Sequence, residues 1–295
     1  MINKSKLVVL SLTLALILGI STLAMAGSAG SIFKFGTDAK SLAMGGAFVA
    51  VADNYSATYW NPAGLNQAQG VKLGGMNFRP YDVQGLNFTY GGGAFTLENF
   101  TVGGAYGQFG VDLGEEYGYD SDASYSESVI VGSGAFGVDF ADIGANVKSY
   151  NLGDSSGFGF DVGTLFSFSG LSVGASASDI GGVDVGEDAT VSSVYRLGAA
   201  ADLMDVAVAS AQVDLVEGGD TTIRAGLELT PIKQLAVRGG VIVPPAGDVS
   251  FTAGAGLNLA GLTVDVAWLQ NSTAFSDYAG DTLVLSAGFE FSTGE

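Results

Sequence analysis

Residues 282–291 read Thr-Leu-Val-Leu-Ser-Ala-Gly-Phe-Glu-Phe, and they alternate large apolar side chains with small or polar ones. A period of two residues is typical of a β-strand whose two faces meet different environments. The same alternation occurs in residues 222–229, 235–241 and 262–268, where charged residues lie only on the face opposite the large apolar ones. The pattern predicts strands with one apolar face and one polar or small face.

Fourteen such stretches follow one another from residue 70 to the end of the chain. Tight turns, such as Ser169-Gly170, Pro231-Ile232-Lys233 and Ala260-Gly261, follow every second stretch, and most other connections are longer and polar. The stretches are residues 70–80, 83–96, 99–111, 124–139, 142–152, 156–168, 171–179, 190–202, 204–215, 220–230, 234–243, 248–259, 261–270 and 281–292.

An even strand number, with short turns at one end and longer loops at the other, is typical of a transmembrane antiparallel β-barrel. Closure leaves no strand edge unpaired, as lipid requires. A soluble exported β-sandwich or solenoid would give similar alternation, but the loop asymmetry and the strand count favour the barrel. The predicted fold class is therefore all-β, a barrel of about 14 strands, with residues 70–295 as the barrel domain.

The composition excludes several classes of function. The chain has no cysteine and no histidine, which excludes thiolate nucleophiles, His-dependent catalytic triads and Cys- or His-ligated metal sites. Its net charge of −19 is the opposite of the basic footprint that nucleic-acid binding needs. We therefore expect no enzyme activity, no catalytic residue, no metal, no cofactor and no nucleic-acid partner.

The first 26 residues have the pattern of a secretory signal peptide. Lys4 and Lys6 precede the apolar run Leu7–Ile20, and Ala24-Met25-Ala26 supplies small residues for cleavage. The alternative, a membrane anchor, is disfavoured because the apolar run is shorter than the roughly 20 residues that span a bilayer. The pattern predicts export and removal of residues 1–26.

Residues 27–69 do not alternate, and about forty residues are many for a linker before the first strand. Asp38 is a candidate N-cap for a helix over residues 39–44, and a glycine break follows at Gly45-Gly46. Within a barrel, such a segment is expected to be a hatch that plugs the lumen.

The segment also carries a resemblance to a known family. Residues 41–53 (Ser-Leu-Ala-Met-Gly-Gly-Ala-Phe-Val-Ala-Val-Ala-Asp) and 57–65 (Ala-Thr-Tyr-Trp-Asn-Pro-Ala-Gly-Leu) resemble the start of the FadL-like outer-membrane proteins, most of all the branch that contains PorV and uncharacterised relatives. Residues 195–198, 223–228 and 235–240 look like recurring strands of the same branch.

The resemblance implies a 14-stranded barrel of the bacterial outer membrane, with the Asn61-Pro62-Ala63 motif inside the hatch. In FadL-type members the activity is passage of long-chain fatty acids or other hydrophobic compounds across the outer membrane. In PorV-type members it is holding exported proteins as part of a secretion machine, so the alternative is a non-enzymatic shuttle or a structural outer-membrane protein that binds exported or envelope proteins. The expected partners are outer-membrane lipid and a hydrophobic small molecule, with an exported protein as the alternative.

Several charged residues fall within predicted strands. A charge that faces lipid at mid-depth costs about 2–4 kcal/mol, so these side chains are expected to face the lumen. Arginine suits a ligand carboxylate, but pairing with acidic residues of the wall (Glu228, Asp161, Asp142, Asp265) or with the hatch is favoured. The candidate lumenal charges are Lys72, Lys148, Arg196, Arg224, Glu228 and Arg238.

Two further motifs resemble ligand-binding sites, but for both an interpretation without a ligand is favoured. Residues 112–122 are rich in acids, but they lack the spacing of a calcium loop, so a solvated outer loop is favoured over a cation site. Residues 132–137 match the glycine pattern of dinucleotide-binding loops, yet a strand follows where that site needs a helix. Pro62 also allows the Asn61-Pro62-Ala63 motif to be simply a rigid turn.

Overall fold

The computed structural model describes residues 27–28, 33, 35–67, 70–112, 124–186, 189–203, 206–245, 248–272 and 279–291. The predicted signal peptide and nearly all of the predicted acidic loop lie outside these ranges. Within them, no helix is long and apolar enough to cross a membrane.

Fourteen antiparallel strands form a closed barrel, which confirms the predicted fold class. The last strand pairs with the first, with Phe291 opposite Val71. The strands are β1 (Gly70–Phe78), β2 (Leu86–Leu97), β3 (Phe100–Asp112), β4 (Ser124–Val138), β5 (Ala141–Leu152), β6 (Ser155–Phe168), β7 (Leu171–Ser178), β8 (Val194–Leu203), β9 (Ala207–Val216), β10 (Thr221–Ile232), β11 (Leu235–Val243), β12 (Ser250–Leu259), β13 (Leu262–Leu269) and β14 (Thr282–Phe291).

The connections define two ends of the barrel. At the end called the turn end, two-residue turns such as Ser169-Gly170 and Ala260-Gly261 join the strands, and β1 begins there. The opposite end, called the loop end, carries most of the longer connections. One predicted turn is displaced: β10 continues through Pro231 and Ile232, where its register with β11 shifts, because proline in a strand is tolerated at such irregularities.

The two faces of the strands differ as the alternation predicts. In β14, Leu283 and Leu285 are each 57% exposed on the outside, whereas Val284 is fully buried on the inside. Large apolar side chains are exposed in the same way around the barrel. A water-soluble surface rarely carries a continuous apolar area of this kind, so the outer face is suited to lipid.

Residues 33 and 35–67, called the N-terminal segment, contain the short helices α1 (Ala39–Ala43) and α2 (Ala57–Trp60) and a 3₁₀ helix, Pro62–Gln67. Phe48 and Trp60 are almost completely buried. The segment makes hydrogen bonds with inward-facing residues of strands on opposite sides of the barrel, Thr252 of β12 and Asn146 of β5. It therefore lies against the inner wall of the barrel.

The predicted helix begins where expected, and Asp38 occupies its N-cap position as predicted, but its side chain does not cap the helix. Asp38 precedes α1 with φ 75° and ψ 130° and makes no side-chain capping bond. Its carboxylate instead accepts hydrogen bonds from Asn54 (2.6 Å) and Ser286 (2.8 Å). Because the left-handed region is unfavourable for a residue with a side chain, these bonds must hold the backbone there.

A small sheet stands apart from the barrel at the loop end. Gly27–Ser28 pairs in parallel with the strand Ala189–Val191, which pairs in antiparallel fashion with Val183–Asp184. These pairings place the start of the described chain at the loop end, whereas residue 70 starts β1 at the turn end. The N-terminal segment thus connects the two ends of the barrel.

Candidate functional site

The Asn61-Pro62-Ala63 turn rests on two glycines of the barrel wall. Gly144 of β5 and Gly163 of β6 lie opposite each other in register. A Cβ atom on Gly144 would overlap the backbone of Pro62, and one on Gly163 would overlap the Asn61 side chain. The turn approaches the wall this closely only because both positions lack a side chain.

Two more cross-strand glycine pairs receive the segment in the same way. Gly174 and Gly198 lie opposite each other beneath Val49. Gly226 and Gly240 form a third pair, beneath the Met44-Gly45 backbone. We call these three pairs the glycine seats, and they show that the inner wall is shaped to the outline of the segment.

Asn61 ties the segment to the wall through its buried amide. Its Nδ2 donates to the backbone oxygen of Val49 (2.8 Å) and to that of Thr164 in β6 (3.0 Å). Its Oδ1 accepts from the backbone N–H of Ala63 (3.2 Å). The asparagine therefore joins two parts of the segment to one strand, while a gating role for the motif stays a prediction.

Two uncharged side chains of the wall make further anchors that the sequence analysis missed. Gln212 Oε1 accepts from the backbone N–H groups of Phe48 (2.9 Å) and Val49 (2.7 Å). Thr252 Oγ1 accepts from the backbone N–H of Gly45 (3.0 Å). A lone glutamine at an inward position was the available signal for the first anchor, but nothing in the sequence indicated what it would face.

Lys148 lies in a buried cluster near the loop end. Its ammonium is 2.8 Å from Asp161 and 2.6 Å from Asp179, and all three side chains are less than 10% exposed. The Tyr150 hydroxyl donates to Asp179 (3.0 Å). The lysine is thus occupied by two carboxylates of the protein.

Two arginines are also paired within the protein. Arg238 lies 2.5 Å from Glu228 and 2.6 Å from Asp265. Arg224 lies 2.7 Å from Asp214 and donates to a backbone oxygen of the segment. Their charges are therefore neutralised by side chains of the barrel wall.

Lys72 is 1% exposed, and its ammonium lies 3.4 Å from the backbone oxygen of Leu65 in the segment. Asp142, a predicted acidic partner, instead accepts a hydrogen bond from Asn66 of the segment (2.7 Å). Among the described residues, no group of three or more acidic side chains is arranged to hold a metal ion.

Arg196 differs from these residues. Within the described ranges no carboxylate lies within 4.0 Å of it, and its Nε has no hydrogen-bond partner although the residue is only 4% exposed. One terminal nitrogen donates to Ser178 (2.9 Å), and the guanidinium lies 5.0 Å from the centre of the Tyr59 ring and 5.6 Å from that of Trp60. Its predicted inward orientation thus brings it against α2.

In the described part of the chain, cavities lie beside the segment near both ends of the barrel. One, of about 370 Å³, opens at the turn end and is lined largely by polar and charged residues, including Lys40, Asp53 and Glu290. Burial opposes ionisation of Asp53, but Lys40 at 2.7 Å outweighs it and holds the pKa of Asp53 below its usual value. The other, of about 40 Å³, lies nearer the loop end among aromatic residues. It has room for no more than a few water molecules.

Asp38 is expected to make stability depend on pH. Burial raises the pKa of Asp38 to about 6, with a further contribution from Asp265, while Asn54, Ser286 and Lys40 act in the opposite direction. A carboxyl with a higher pKa in the folded state binds its proton more tightly there, so stability is gained as the pH falls from about 7 to about 4.

The shift corresponds to about 2–3 kcal/mol across that range. Replacement of Asp38 by Asn, which tolerates a positive φ, should remove this part of the pH dependence. Urea unfolding of both proteins at pH 7 and pH 4.5 measures the difference. Equal slopes of stability against pH for the two proteins would contradict the assignment.

Comparison with known proteins gives a structural likeness only. No protein-family model matches the chain, and no curated protein matches it by sequence. The toluene transporter TbuX of Ralstonia pickettii superimposes with a TM-score of 0.61 at 14% identity, over 87% of this chain and 98% of that one. The monoaromatic hydrocarbon channel CymD gives 0.64 at 13% identity, over 88% and 99%.

A FadL homologue from Pseudomonas aeruginosa gives a TM-score of 0.63 at 12% identity, over 86% of this chain and 98% of that one. Each likeness spans nearly the whole length of the solved structure and most of this chain. At such low identities the likeness establishes the fold and not the ligand. The chain therefore shares its fold with TbuX, CymD and the FadL homologue.

Proposed function

We propose that the chain is an outer-membrane channel for the uptake of hydrophobic small molecules, with the N-terminal segment as its hatch. The observation that carries the proposal is the seating of this segment on the inner wall by the three glycine seats and by Asn61. Along residues 35–67 the segment is held to the wall by hydrogen bonds and packing, as expected of a hatch that has to move.

The apolar outer face and the activities named for the structural neighbours support the same proposal. Closed antiparallel barrels with an apolar belt are the β-structures that span bilayers. The neighbours are described as a toluene transporter, a monoaromatic hydrocarbon channel and a FadL homologue. The bacterial outer membrane, reached after signal-peptide cleavage, is the proposed location.

Transport requires the segment to move. The cavity among the aromatic residues holds only about 40 Å³, which is too small for a hydrophobic solute. The larger cavity at the turn end, of about 370 Å³, gives the segment space to shift towards the turn end. In this proposal a ligand enters at the loop end, displaces the segment from its seats and leaves past it.

The expected alternative, a barrel that binds exported proteins, gains no support from the described residues. The apolar side chains exposed on the strands form the outer belt, and the structural neighbours are named as transporters and channels. The PorV-like branch suggested by the sequence remains a prediction.

Uptake by whole cells tests the proposal. The chain is expressed in a Gram-negative strain that lacks its own channel of this type, and insertion is verified by heat-modifiable electrophoretic mobility. Uptake of radiolabelled p-xylene and oleate should rise at least about threefold above cells that carry the empty vector. A correctly inserted barrel that increases the uptake of neither compound would show the proposal to be wrong.

A further inference from the structure

The small cavity near the loop end combines aromatic side chains with two buried polar groups that lack a partner, the Thr37 hydroxyl and the Nε–H of Arg196. Phe33, Phe88, Tyr90 and Tyr150 line it, and Arg196 reaches it from β8. The aromatic side chains suit an aromatic ligand, because rings pack favourably edge to face or in offset stacks.

Of these two groups, the Nε–H of Arg196 is the charged donor. A buried N–H without a partner costs free energy, so native structures seldom leave one unpaired. Among the candidate arginines, Arg224 and Arg238 use their Nε atoms in ion pairs with Asp214 and Glu228, so the orphan is particular to Arg196. The position calls for an acceptor that the described chain does not supply.

The charges around the cavity indicate what kind of acceptor fits. Lys148 and Arg196 contribute two positive charges, and Asp161 and Asp179 contribute two negative ones. A ligand carboxylate would leave this buried group with an uncompensated negative charge, which is costly at low dielectric. A neutral oxygen adds no charge and still accepts from the Nε–H.

A side chain of the protein already occupies the aromatic part of the site. The Phe33 ring lies 6.1 Å from the centre of the Phe88 ring and 5.9 Å from that of Tyr150. It is 6% exposed and lies in the same enclosure as Arg196. Withdrawal of this ring would enlarge the cavity, and apolar cavities of about 150 Å³ bind single aromatic rings.

We propose that this cavity binds a small neutral aromatic compound with one hydroxyl or carbonyl oxygen. The ring of the ligand replaces that of Phe33, and its oxygen accepts a hydrogen bond from Arg196 Nε. The inference rests on the proposed function, and it specifies the substrate class: an oxygenated aromatic compound is preferred over a plain hydrocarbon and over an aromatic carboxylate.

Trp60 provides the readout, since it lies next to Arg196 and the chain has only one other tryptophan, Trp268, which faces outward. In a Trp268→Phe background, Trp60 fluorescence reports binding of three compounds of matched shape in detergent: p-cresol, p-xylene and p-toluate. We expect p-cresol to bind about tenfold more tightly than p-xylene, as a hydrogen bond from a charged donor allows, with p-toluate weaker than p-cresol.

Variants at two positions test the assignment of roles. Arg196→Met should reduce the preference for p-cresol to less than about threefold while p-xylene affinity stays within about threefold. If Arg196→Met alone does not fold, the double variant Arg196→Met/Asp161→Asn restores the charge balance. Phe33→Ala should increase the affinity for both neutral compounds.

Equal binding of p-cresol and p-xylene, tighter binding of p-toluate, or a p-cresol preference that survives Arg196→Met would overturn the inference. Whole-cell uptake separates this failure from that of the proposed function. If p-xylene is taken up but p-cresol is not preferred, only the substrate assignment is wrong. If neither compound nor oleate is taken up, the channel proposal itself is wrong.

Discussion

Replacement of Gly144 by Val is expected to open the barrel. The Cβ atom alone would overlap the Pro62 backbone, and the two methyl groups of valine need still more room. Overpacking of this kind costs about 1–3 kcal/mol. The wall is held by hydrogen bonds along both neighbouring strands, so the Asn61-Pro62-Ala63 turn should give way first. Conductance in planar bilayers should then rise at least about tenfold above that of the unmodified protein.

Gly134→Val is the matched control for this experiment. Gly134 lies in β4, next to the strand that carries Gly144, but a Cβ atom there would meet nothing within 4 Å. Its conductance and stability should stay close to those of the unmodified protein, since changes away from close contacts usually cost less than about 0.5 kcal/mol. If the conductance of Gly144→Val is as low as that of Gly134→Val, the glycine seat at Gly144 does not hold the segment in place.

Replacement of Lys148 by Met is expected to cause a larger loss of stability than replacement of Gly144 by Val or of Arg79 by Met. It leaves Asp161 and Asp179 buried without their cation. Removal of one partner from a buried ion pair typically costs about 3–5 kcal/mol, because the remaining charge is desolvated and unpaired. Urea unfolding of the detergent-solubilised or liposome-inserted protein measures the loss.

Two further variants show whether the loss comes from charge. The triple variant Lys148→Met/Asp161→Asn/Asp179→Asn removes the unpaired charges and should recover at least half of the lost stability. Arg79→Met removes a partner from the exposed Arg79–Asp82 pair (3.3 Å) and should cost less than about 1 kcal/mol. If the triple variant is as unstable as Lys148→Met, packing and not charge explains the effect.

The barrel was predictable because its outer face obeys one simple rule. Every strand faces a uniform apolar surrounding on one side, so residues such as Leu283 and Leu285 recur at every second position along the chain. Turn residues such as Ser169-Gly170 and Ala260-Gly261 then mark the ends. Near Pro231, where the register slips, the pattern placed a turn too early, and it began the stretch 190–202 four residues before β8 begins at Val194.

The inner face was less predictable because it depends on which residues meet across strands. Gly144 and Gly163 belong to different strands, and nothing in either strand alone shows that they lie opposite each other. The role of Asp38 was missed for a similar reason, since its partners Asn54 and Ser286 come together only in the closed barrel. Charge alone also could not show that Arg196 would lack the carboxylate partner that Arg224 and Arg238 have.

The glycine seats have a consequence for how such a chain changes over evolutionary time. A side chain gained at Gly144 or Gly163 is tolerated only if the turn at Pro62 moves away from the wall. Conversely, a shorter turn above two glycines leaves an empty space between the segment and the wall. Mutations at the two sites are therefore coupled. In a family of such sequences, the wall glycines and the segment above them should be inherited as matched sets, and chimeras that combine one parent's segment with another's barrel should assemble poorly.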